Sequence, residues 1–186
     1  MKKHFGFLIL FFGVGIICCS QNTNIVNGIQ LYTISGEPYI DSFCEIEVGV
    51  YSVGEDNELI FQNCTVENGK LFLSIPDNIQ DVYLSYDDFT PYIKRADLYI
   101  QFKDSIGYGI ISLALRPNNE TSYAISFIYS DRNAAIPTLT LWDGNQKIIN
   151  YKKGWNMIDW IYCENPDDIQ SLYDMGYKWY IYYYDK

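Results

Sequence analysis

Short runs in which apolar and polar side chains alternate recur along most of this chain. In the run from Cys44 to Val53, Ile46, Val48 and Val50 alternate with charged, small or aromatic residues. Successive side chains of a β-strand point to opposite faces, so such a run predicts a strand with one buried face. Aromatic residues make up 17% of the chain and include 18 tyrosines, which also favours strands. The sequence therefore predicts an all-β fold, mainly an antiparallel β-sandwich.

The alternating runs and the turn residues between them predict the strand boundaries. Asn68-Gly69 and Asp143-Gly144 are typical of two-residue hairpin turns, because these dipeptides adopt the positive φ angles of a type I′ turn. The expected strands cover residues 29–34, 44–53, 59–66, 70–75, 82–86, 96–102, 108–115, 122–130, 137–142, 146–151, 155–162 and 177–184.

One short helix is expected near the C-terminus. Asn165 can cap this helix, Pro166 suits its first position, and Gly176 ends it. Asp167 and Asp168 would then lie near the positive end of the helix dipole. We interpret this acidic pair as helix-start charges rather than as catalytic carboxylates.

The first residues have a different pattern from the rest of the chain. Lys2, Lys3 and His4 precede an apolar run over residues 5–17, and polar Ser20 follows soon after it. This is the layout of a secretory signal. A membrane-spanning helix needs about 20 apolar residues, so the run is too short to be one. We expect the folded domain to follow a cleaved N-terminal signal.

The residues after this run, Ile16-Ile17-Cys18-Cys19-Ser20, resemble the lipobox of bacterial lipoproteins. The resemblance places lipidation at Cys19, with Ile16 at the aliphatic position, and leaves Cys18 as the alternative. It implies a protein that acyl chains hold on a membrane of the bacterial cell envelope. Ser20 is not the aspartate that keeps such lipoproteins at the inner membrane, so the resemblance implies the outer membrane.

These boundaries divide the chain into three parts. Residues 1–18 are the expected signal peptide, residues 19–27 a lipidated tether, and residues 28–186 the β-sandwich domain. The length of this last part fits one well-buried domain or two small halves, 28–88 and 96–186.

Charge and histidine content exclude several functions. The chain has 13 basic and 23 acidic residues, so removal of Lys2 and Lys3 leaves 11 against 23, a formal charge of −12. Such a surface repels phosphates, and nucleic acid is not an expected partner. The only histidine, His4, would leave with the signal, which excludes Ser-His-Asp and Cys-His catalysis and imidazole metal sites. We expect no catalytic residues, no metal site and no cofactor.

The first half of the expected domain resembles the transthyretin-like or carboxypeptidase-regulatory-like β-sandwich modules of exported proteins. The residues that carry this likeness are 27–29, 47–51 and the hairpin 66–73. The resemblance implies a sandwich that is rarely catalytic itself. Residues 127–133 and 151–156 resemble a pattern in small bacterial surface lipoproteins of unknown function, and this likeness implies no activity.

The tryptophans are the candidate ligand contacts. Trp142, Trp155, Trp160 and Trp179 could build an aromatic surface for a sugar or a peptide, or they could pack in the core. Trp155 and Trp160 are five positions apart, so a regular strand would direct them to opposite faces. At most one of these two is therefore expected in a shared patch.

Two other groups of residues have competing interpretations. Cys44 and Cys64 could form a disulfide, worth about 3 kcal/mol by loop closure, or could remain as two buried thiols. Cys163 is left without an obvious partner in the sequence. Asp87-Asp88 is interpreted as part of a solvated turn, because adjacent carboxylates on an extended segment point apart and do not form a calcium loop or a glycosidase pair.

The expected function is that of a membrane-anchored envelope lipoprotein, a non-catalytic binding or assembly module with a protein or glycan partner. One alternative is an envelope glycan hydrolase that uses carboxylates alone, which would need two acids facing each other in a cleft. The other alternative is a purely structural spacer, which would have no exposed aromatic patch.

Overall fold

A computed structural model describes residues 22–41, 43, 45–52, 58–61, 64–86, 90, 92–115, 125–139, 144–160, 162–166 and 168–184. These residues form twelve strands, one α-helix and one 3-10 turn. The bounds are β1 (Asn22–Tyr32), β2 (Glu45–Tyr51), β3 (Glu58–Phe61), β4 (Cys64–Glu67), β5 (Lys70–Pro76), the turn Asp81–Tyr83, β6 (Arg95–Lys103), β7 (Tyr108–Ala114), β8 (Ile125–Ser130), β9 (Ala134–Leu139), β10 (Gln146–Tyr151), β11 (Gly154–Asp159), α1 (Ile169–Asp174) and β12 (Lys178–Tyr183). The predicted all-β fold with one short helix near the C-terminus is confirmed. The expected signal, with Cys18 and Cys19, lies outside the described residues.

The strands form a β-sandwich in which β1 belongs to both layers. Over Asn22–Gln30, β1 pairs antiparallel with β5, and β5 pairs with β4. At Leu31 and Tyr32, β1 pairs in parallel with β12. The second layer continues from β12 through β7, β6 and β8 to β11, and β2 and β3 are added beside β6. The other strand pairs of the described chain are antiparallel, and they join its N-terminal and C-terminal segments in one sheet system.

The main core lies between the two layers. Leu71, Leu73 and Ile75 of β5 share one apolar cluster with inward side chains of β2, β6, β7, β8 and β12. Leu172 of α1 is fully buried in the same cluster. The alternation in β2 is confirmed, because Val48 and Val50 are buried while its odd-numbered residues other than Gly49 are exposed.

A separate two-stranded sheet, formed by β9 and β10, covers the outer side of β8 and β11. Ile128 of β8 and Ile158 of β11 point away from the main core and pack against Ile136 of β9 and Ile149 of β10. This part of the second layer is therefore closed to solvent on both sides.

Strand β6 changes partner along one of its edges. On one side, β2 pairs with β6 over Asp97–Lys103. On the other side, β8 pairs with Arg95–Asp97 and β7 pairs with Gln101–Lys103. Among the described strands none pairs with residues 98–100 on this second side, so β7 and β8 separate there and the sheet forks.

The carboxylate of Asp104, in the turn between β6 and β7, connects three parts of the chain. It accepts hydrogen bonds from the hydroxyl of Tyr39 at 3.0 Å and from the hydroxyl of Tyr183, and from the backbone N–H groups of Ile106 at 2.8 Å and Gly107 at 3.1 Å. Burial alone would raise the pKa of the Asp104 carboxyl, but the four hydrogen bonds outweigh it and lower this pKa below 3.8. One buried anion thus holds the β1–β2 connection, the β6–β7 turn and the last strand together.

Two strand boundaries differ from the prediction. β1 begins at Asn22, so residues 22–27, expected in the tether, are paired along β5. The strand expected over 59–66 is two strands, because β3 pairs with β2 whereas β4 pairs with β5. The more buried positions are odd in β3 and even in β4, so the face that packs inward changes between the two strands.

The prediction of a strand over 82–86 is wrong. The backbone N–H groups of Tyr83 and Leu84 donate to the carbonyls of Gln80 and Asp81, which makes a 3-10 turn. Ser85 then forms an isolated bridge outside the named strands. Local hydrogen bonds therefore replace strand pairing over most of this segment.

One of the two expected hairpin turns is confirmed. Asn68 and Gly69 have φ angles of 50° and 72° and connect the paired residues Glu67 and Lys70, as a type I′ turn requires. Between β9 and β10 the last pair is Leu139 with Gln146. The expected turn at Asp143-Gly144 falls beyond this pair, where residues 140–143 lie outside the described residues, so it stays a prediction.

The helix begins later than predicted. Asp168, and not Asn165, is the cap, since its carboxylate accepts the N–H of Ser171 at 2.8 Å. The side-chain oxygen of Asn165 instead accepts the N–H of Asn150 at 3.1 Å. Gly176, with φ at 94°, ends the helix as expected, and Asp167 lies outside the described residues. Asp168 is thus a structural residue, in line with its interpretation as a helix-start charge.

We expect Asp168→Ala to lower the free energy of unfolding by about 1 kcal/mol, because the N–H of Ser171 loses its cap. Asp168→Asn is the matched control. Its free energy of unfolding should fall much less, since an asparagine oxygen can accept the same hydrogen bond. Urea denaturation of both variants measures the difference. Equal losses in the two variants would contradict the capping role.

Candidate binding face and pocket

The outward side chains of β2, β6 and β7 form one continuous surface, which we call the open face. Register places Gly49 beside Tyr99, Glu47 beside Gln101, and Gln101 beside Ile110. Because neighbours directly across antiparallel strands share a face, these positions belong together. The open face consists of Glu45, Glu47, Gly49, Tyr51, Asp97, Tyr99, Gln101, Lys103, Tyr108, Ile110 and Ser112.

Tyrosine side chains are the main apolar groups of the open face. Tyr108 is 59% exposed and Tyr51 is 44% exposed. The rings of Tyr51 and Tyr99 are in contact, with centroids 6.3 Å apart. The open face therefore presents aromatic area and phenolic hydroxyls to solvent, a combination found in recognition surfaces.

The ring of Tyr99 lies across Gly49, and this explains the glycine. A Cβ at Gly49 would lie 2.5 Å from the Tyr99 hydroxyl and 2.6 Å from the carbonyl oxygen of Leu59. The hydroxyl donates to Oε1 of Glu47 at 3.1 Å. Burial, followed by the nearby carboxylates of Glu58 and Glu47, raises the pKa of Tyr99. Tyr99 is thus held neutral and in one orientation over the sheet.

A shallow groove of about 110 Å³ crosses one end of the open face. The ammonium of Lys103 lies 3.6 Å from Oε1 of Glu45 and 5.1 Å from the ring centroid of Tyr108. The groove is lined by Glu45, Glu47, Gln101, Phe102, Lys103 and Tyr108. It offers charged, amide and aromatic groups to a ligand that lies along the surface.

A second cavity, which we call the fork pocket, opens where β7 and β8 separate. Its volume is about 140 Å³. Tyr51, Tyr99, Ile110 and Ser112 of the open face line it, together with inward residues of four strands. Since alternate residues of a strand point to opposite faces, residues from both faces of the second layer line this cavity. The inward lining residues are Leu98, Ile100, Ile111, Leu113, Ile125, Phe127 and Trp179.

Two aromatic rings form the inner end of the fork pocket. Phe127 and Trp179 are stacked, with centroids 5.8 Å apart and an interplanar angle of 13°. The indole N–H of Trp179 donates to the hydroxyl of Tyr173 at 2.9 Å. Because that hydrogen bond satisfies the polar atom of the indole, the tryptophan presents apolar surface to the pocket.

Hydroxyl groups belong to the lining residues nearest the open face. Ser112, Tyr51 and Tyr99 carry them, and the other lining side chains are apolar. Burial and the nearby charge of Asp97 raise the pKa of Tyr51, against a smaller opposite effect of Arg95. None of the residues that line the fork pocket has a charged side chain.

The described tryptophans do not share one surface. The indole N–H of Trp155 donates to the carbonyl of Pro76 at 2.8 Å, and that of Trp160 donates to Oγ of Ser126 at 2.9 Å. Trp179 is 1% exposed, and Trp142 lies outside the described residues. Trp155 and Trp160 pack against different clusters, as their spacing predicts. Trp179, although buried, lines the fork pocket.

The cysteine prediction is not decided. Cys64 carries a free thiol in the structure, and burial raises its pKa to about 12. A thiol with this pKa is a poor nucleophile at neutral pH. Cys44 lies outside the described residues, so the Cys44–Cys64 bridge stays a prediction. Cys163 is buried, with its Sγ 3.5 Å from the carbonyl of Trp160.

Other acidic and membrane features add little to this picture. Asp87 and Asp88 lie outside the described residues. Within the described ranges, no group of three or more His, Cys, Asp or Glu residues is arranged to hold a metal ion. No helix in that same part of the chain has the length and hydropathy needed to cross a membrane.

Comparison with known proteins gave no match. No protein-family model fits this chain, and neither the curated proteins nor the solved structures contain one that is significantly similar. The open face and the fork pocket therefore have to be interpreted from their own chemistry.

Proposed function

We propose that this chain is a membrane-anchored envelope lipoprotein that acts as a non-catalytic binding module, and that the open face is its binding surface. The observation that carries the proposal is the contrast between two parts of the second layer. β9 and β10 cover the outer side of β8 and β11, whereas the described strands leave Tyr51 of β2 and Tyr108 of β7 exposed. Accessible aromatic area beside a partly apolar pocket is typical of a binding site.

The charge of the chain limits the partner. The whole sequence carries a formal charge of −10, and Glu45, Glu47 and Asp97 lie on the open face itself. Anionic ligands are repelled at long range by such a surface. The proposal is therefore an uncharged or cationic partner, either a glycan or a protein of the envelope.

The geometry supports binding better than glycan hydrolysis. Glu45 and Glu47 line one groove, but they belong to the same strand and both are exposed. One lies near the ammonium of Lys103 and the other accepts a hydrogen bond from Tyr99. A glycosidase needs two carboxyls that face each other on either side of the scissile bond. The arrangement of the two glutamates does not provide this.

Anchoring is tested by mass spectrometry of the protein isolated from its own cells. We expect the mature chain to begin at Cys19 and to carry acyl chains there. Cys19→Ala should abolish acylation, whereas Cys18→Ala should leave it intact. A native protein that kept Met1 and carried no fatty acid would overturn the proposed anchor.

Binding is tested with the mature protein on glycan and envelope-protein arrays. We expect at least one ligand, bound about tenfold more weakly by Tyr51→Ala or Tyr108→Ala, since a buried aromatic contact is worth about 1.4 kcal/mol or more. Tyr162→Ala is the matched control, because Tyr162 is 46% exposed and is not part of the open face. Equal weakening by the control would contradict the open face as the site. Absence of any ligand on both arrays would favour the spacer instead.

A further inference from the structure

We propose that the fork pocket binds one uncharged apolar group of about the size of a benzene ring, either an aryl ring or a branched alkyl group of a small molecule. The inference rests on the proposed function, because it assigns ligand chemistry to a cavity that opens on the open face. The fork pocket differs from the groove, because charged and amide side chains line the groove.

The pocket is a product of strand register. Pairing with β8 ends at Asp97 and pairing with β7 begins at Gln101, so the edge of β6 between them faces the gap. β12 backs the gap through Trp179, which pairs with Leu113 of β7. The walls are therefore supplied by regular strands, which position lining side chains rigidly.

Size selects a single small group. The pocket measures about 140 Å³. An engineered protein cavity of about 150 Å³ with an apolar lining binds benzene or xenon. One six-membered aromatic ring fits such a space, and a second ring would have to remain on the open face.

The lining selects an uncharged occupant with an apolar surface and at least one polar atom, because the edge of β6 over residues 98–100, which the described strands leave unpaired on this side, also borders the gap. Leucine, isoleucine, phenylalanine and tryptophan side chains form the inner part, and hydroxyls belong to residues nearer the open face. Burial of a charge without a partner is strongly unfavourable, and the lining contains no charged side chain. A sugar ring would leave several hydroxyls against the Phe127–Trp179 stack. An aryl or alkyl group avoids this and could place one polar atom near Ser112 or Tyr51.

The test uses the mature protein and nuclear magnetic resonance of the Trp179 indole N–H. The probes are benzyl alcohol, its anionic analogue benzoate, its cationic analogue benzylamine, and glucose. We expect saturable shifts of this resonance with benzyl alcohol, at least tenfold weaker binding of benzoate and benzylamine, and no shift with glucose. No saturable shift with benzyl alcohol, or equal binding of the charged analogues, would overturn the proposal.

Pocket-filling variants locate the bound probe. Ser112→Leu should weaken benzyl alcohol binding at least tenfold, and the smaller Ser112→Val should weaken it by less. Thr65→Leu, the same type of change at an exposed position of β4, is the matched control. Thermal melting shows whether each variant is folded. If Ser112→Leu does not fold, Ser112→Val replaces it in the binding measurement. Unchanged binding in a folded Ser112 variant would overturn the assignment.

Failure of this inference and failure of the proposed function give different results. If an array ligand depends on Tyr108 but benzyl alcohol does not bind, the fork pocket assignment is wrong and the binding module stands. If benzyl alcohol binds with the expected selectivity but no array ligand depends on the open face, the pocket stands and the proposed function is wrong.

Discussion

Gly69→Ala is expected to lower the free energy of unfolding by about 2–5 kcal/mol, the sum of a backbone cost and a steric cost. Gly69 has φ at 72°, a left-handed conformation that disfavours a side chain. A Cβ there would also lie 1.8 Å from the carbonyl oxygen of Tyr39. The hairpin turn and the β1–β2 connection would have to move apart.

This movement would break further contacts. The carbonyl of Gly69 accepts the N–H of Leu31 at 2.8 Å, and the carbonyl of Leu31 accepts the N–H of Tyr39 at 2.8 Å. The side-chain amide of Gln30 donates to the carbonyls of Tyr39 and Gly69 at 2.7 and 3.2 Å. The alanine therefore disturbs a small network rather than one contact.

Gly144→Ala separates the two costs. Gly144 has φ at 68°, close to that of Gly69, but a Cβ there would meet nothing within 4 Å. It should therefore lose only the backbone part, about 1–2 kcal/mol. Urea denaturation measures both variants. Equal losses of stability in the two variants would show that the close approach of Tyr39 is not what excludes a side chain at residue 69.

Asp104→Ala is expected to lower the free energy of unfolding by about 3–5 kcal/mol, because buried donors would lose their acceptor. The hydroxyls of Tyr39 and Tyr183 and the N–H groups of Ile106 and Gly107 all donate to this carboxylate. Asp104→Asn should lose less, since its amide oxygen can still accept some of these hydrogen bonds. Equal losses from both variants, or a loss under about 1 kcal/mol from the alanine, would contradict the proposed role.

The Asp104 contribution should also depend on pH. The folded state lowers the pKa of this carboxyl below its ordinary value of 3.8. The unfolded chain therefore binds the proton more readily, and the stabilisation is fully present above about pH 5. It is lost as the pH falls through 3.8 and then through the folded-state pKa. The stability difference between wild type and Asp104→Asn should shrink over that interval in urea denaturation at several pH values, and a constant difference would contradict the linkage.

The local parts of the fold could be predicted from the sequence. The alternation in β2 predicts its buried and exposed faces, and Asn68-Gly69 predicts its hairpin, because both depend on residues close in the chain. The helix start was misplaced because Asn165 and Asp168 are both good caps. The hydrogen bond from Ser171 to Asp168 decided between them.

The candidate site could not be predicted, because it depends on pairing between distant strands. Nothing in β6 alone indicates that β8 pairs with one end and β7 with the other. The tryptophans were the expected ligand contacts on an exposed aromatic surface, but Trp179 is buried, hydrogen-bonded to Tyr173, and lines the fork pocket from its inner side. The sequence did indicate that Tyr51 and Tyr99 lie on the outer face, since both occupy the polar positions of an alternating run. Only the pairing register between β2 and β6 shows that the two tyrosine side chains lie next to each other.

On the proposed anchor, the early start of β1 would set the height of the domain above the bilayer. If Cys19 carries the lipid, three residue steps separate it from Asn22, where pairing with β5 begins. A fully extended chain of this length spans at most about 10 Å. The sandwich would then stand directly on the headgroups with little freedom to tumble, and its partner would have to approach along the membrane plane or be anchored in the same leaflet.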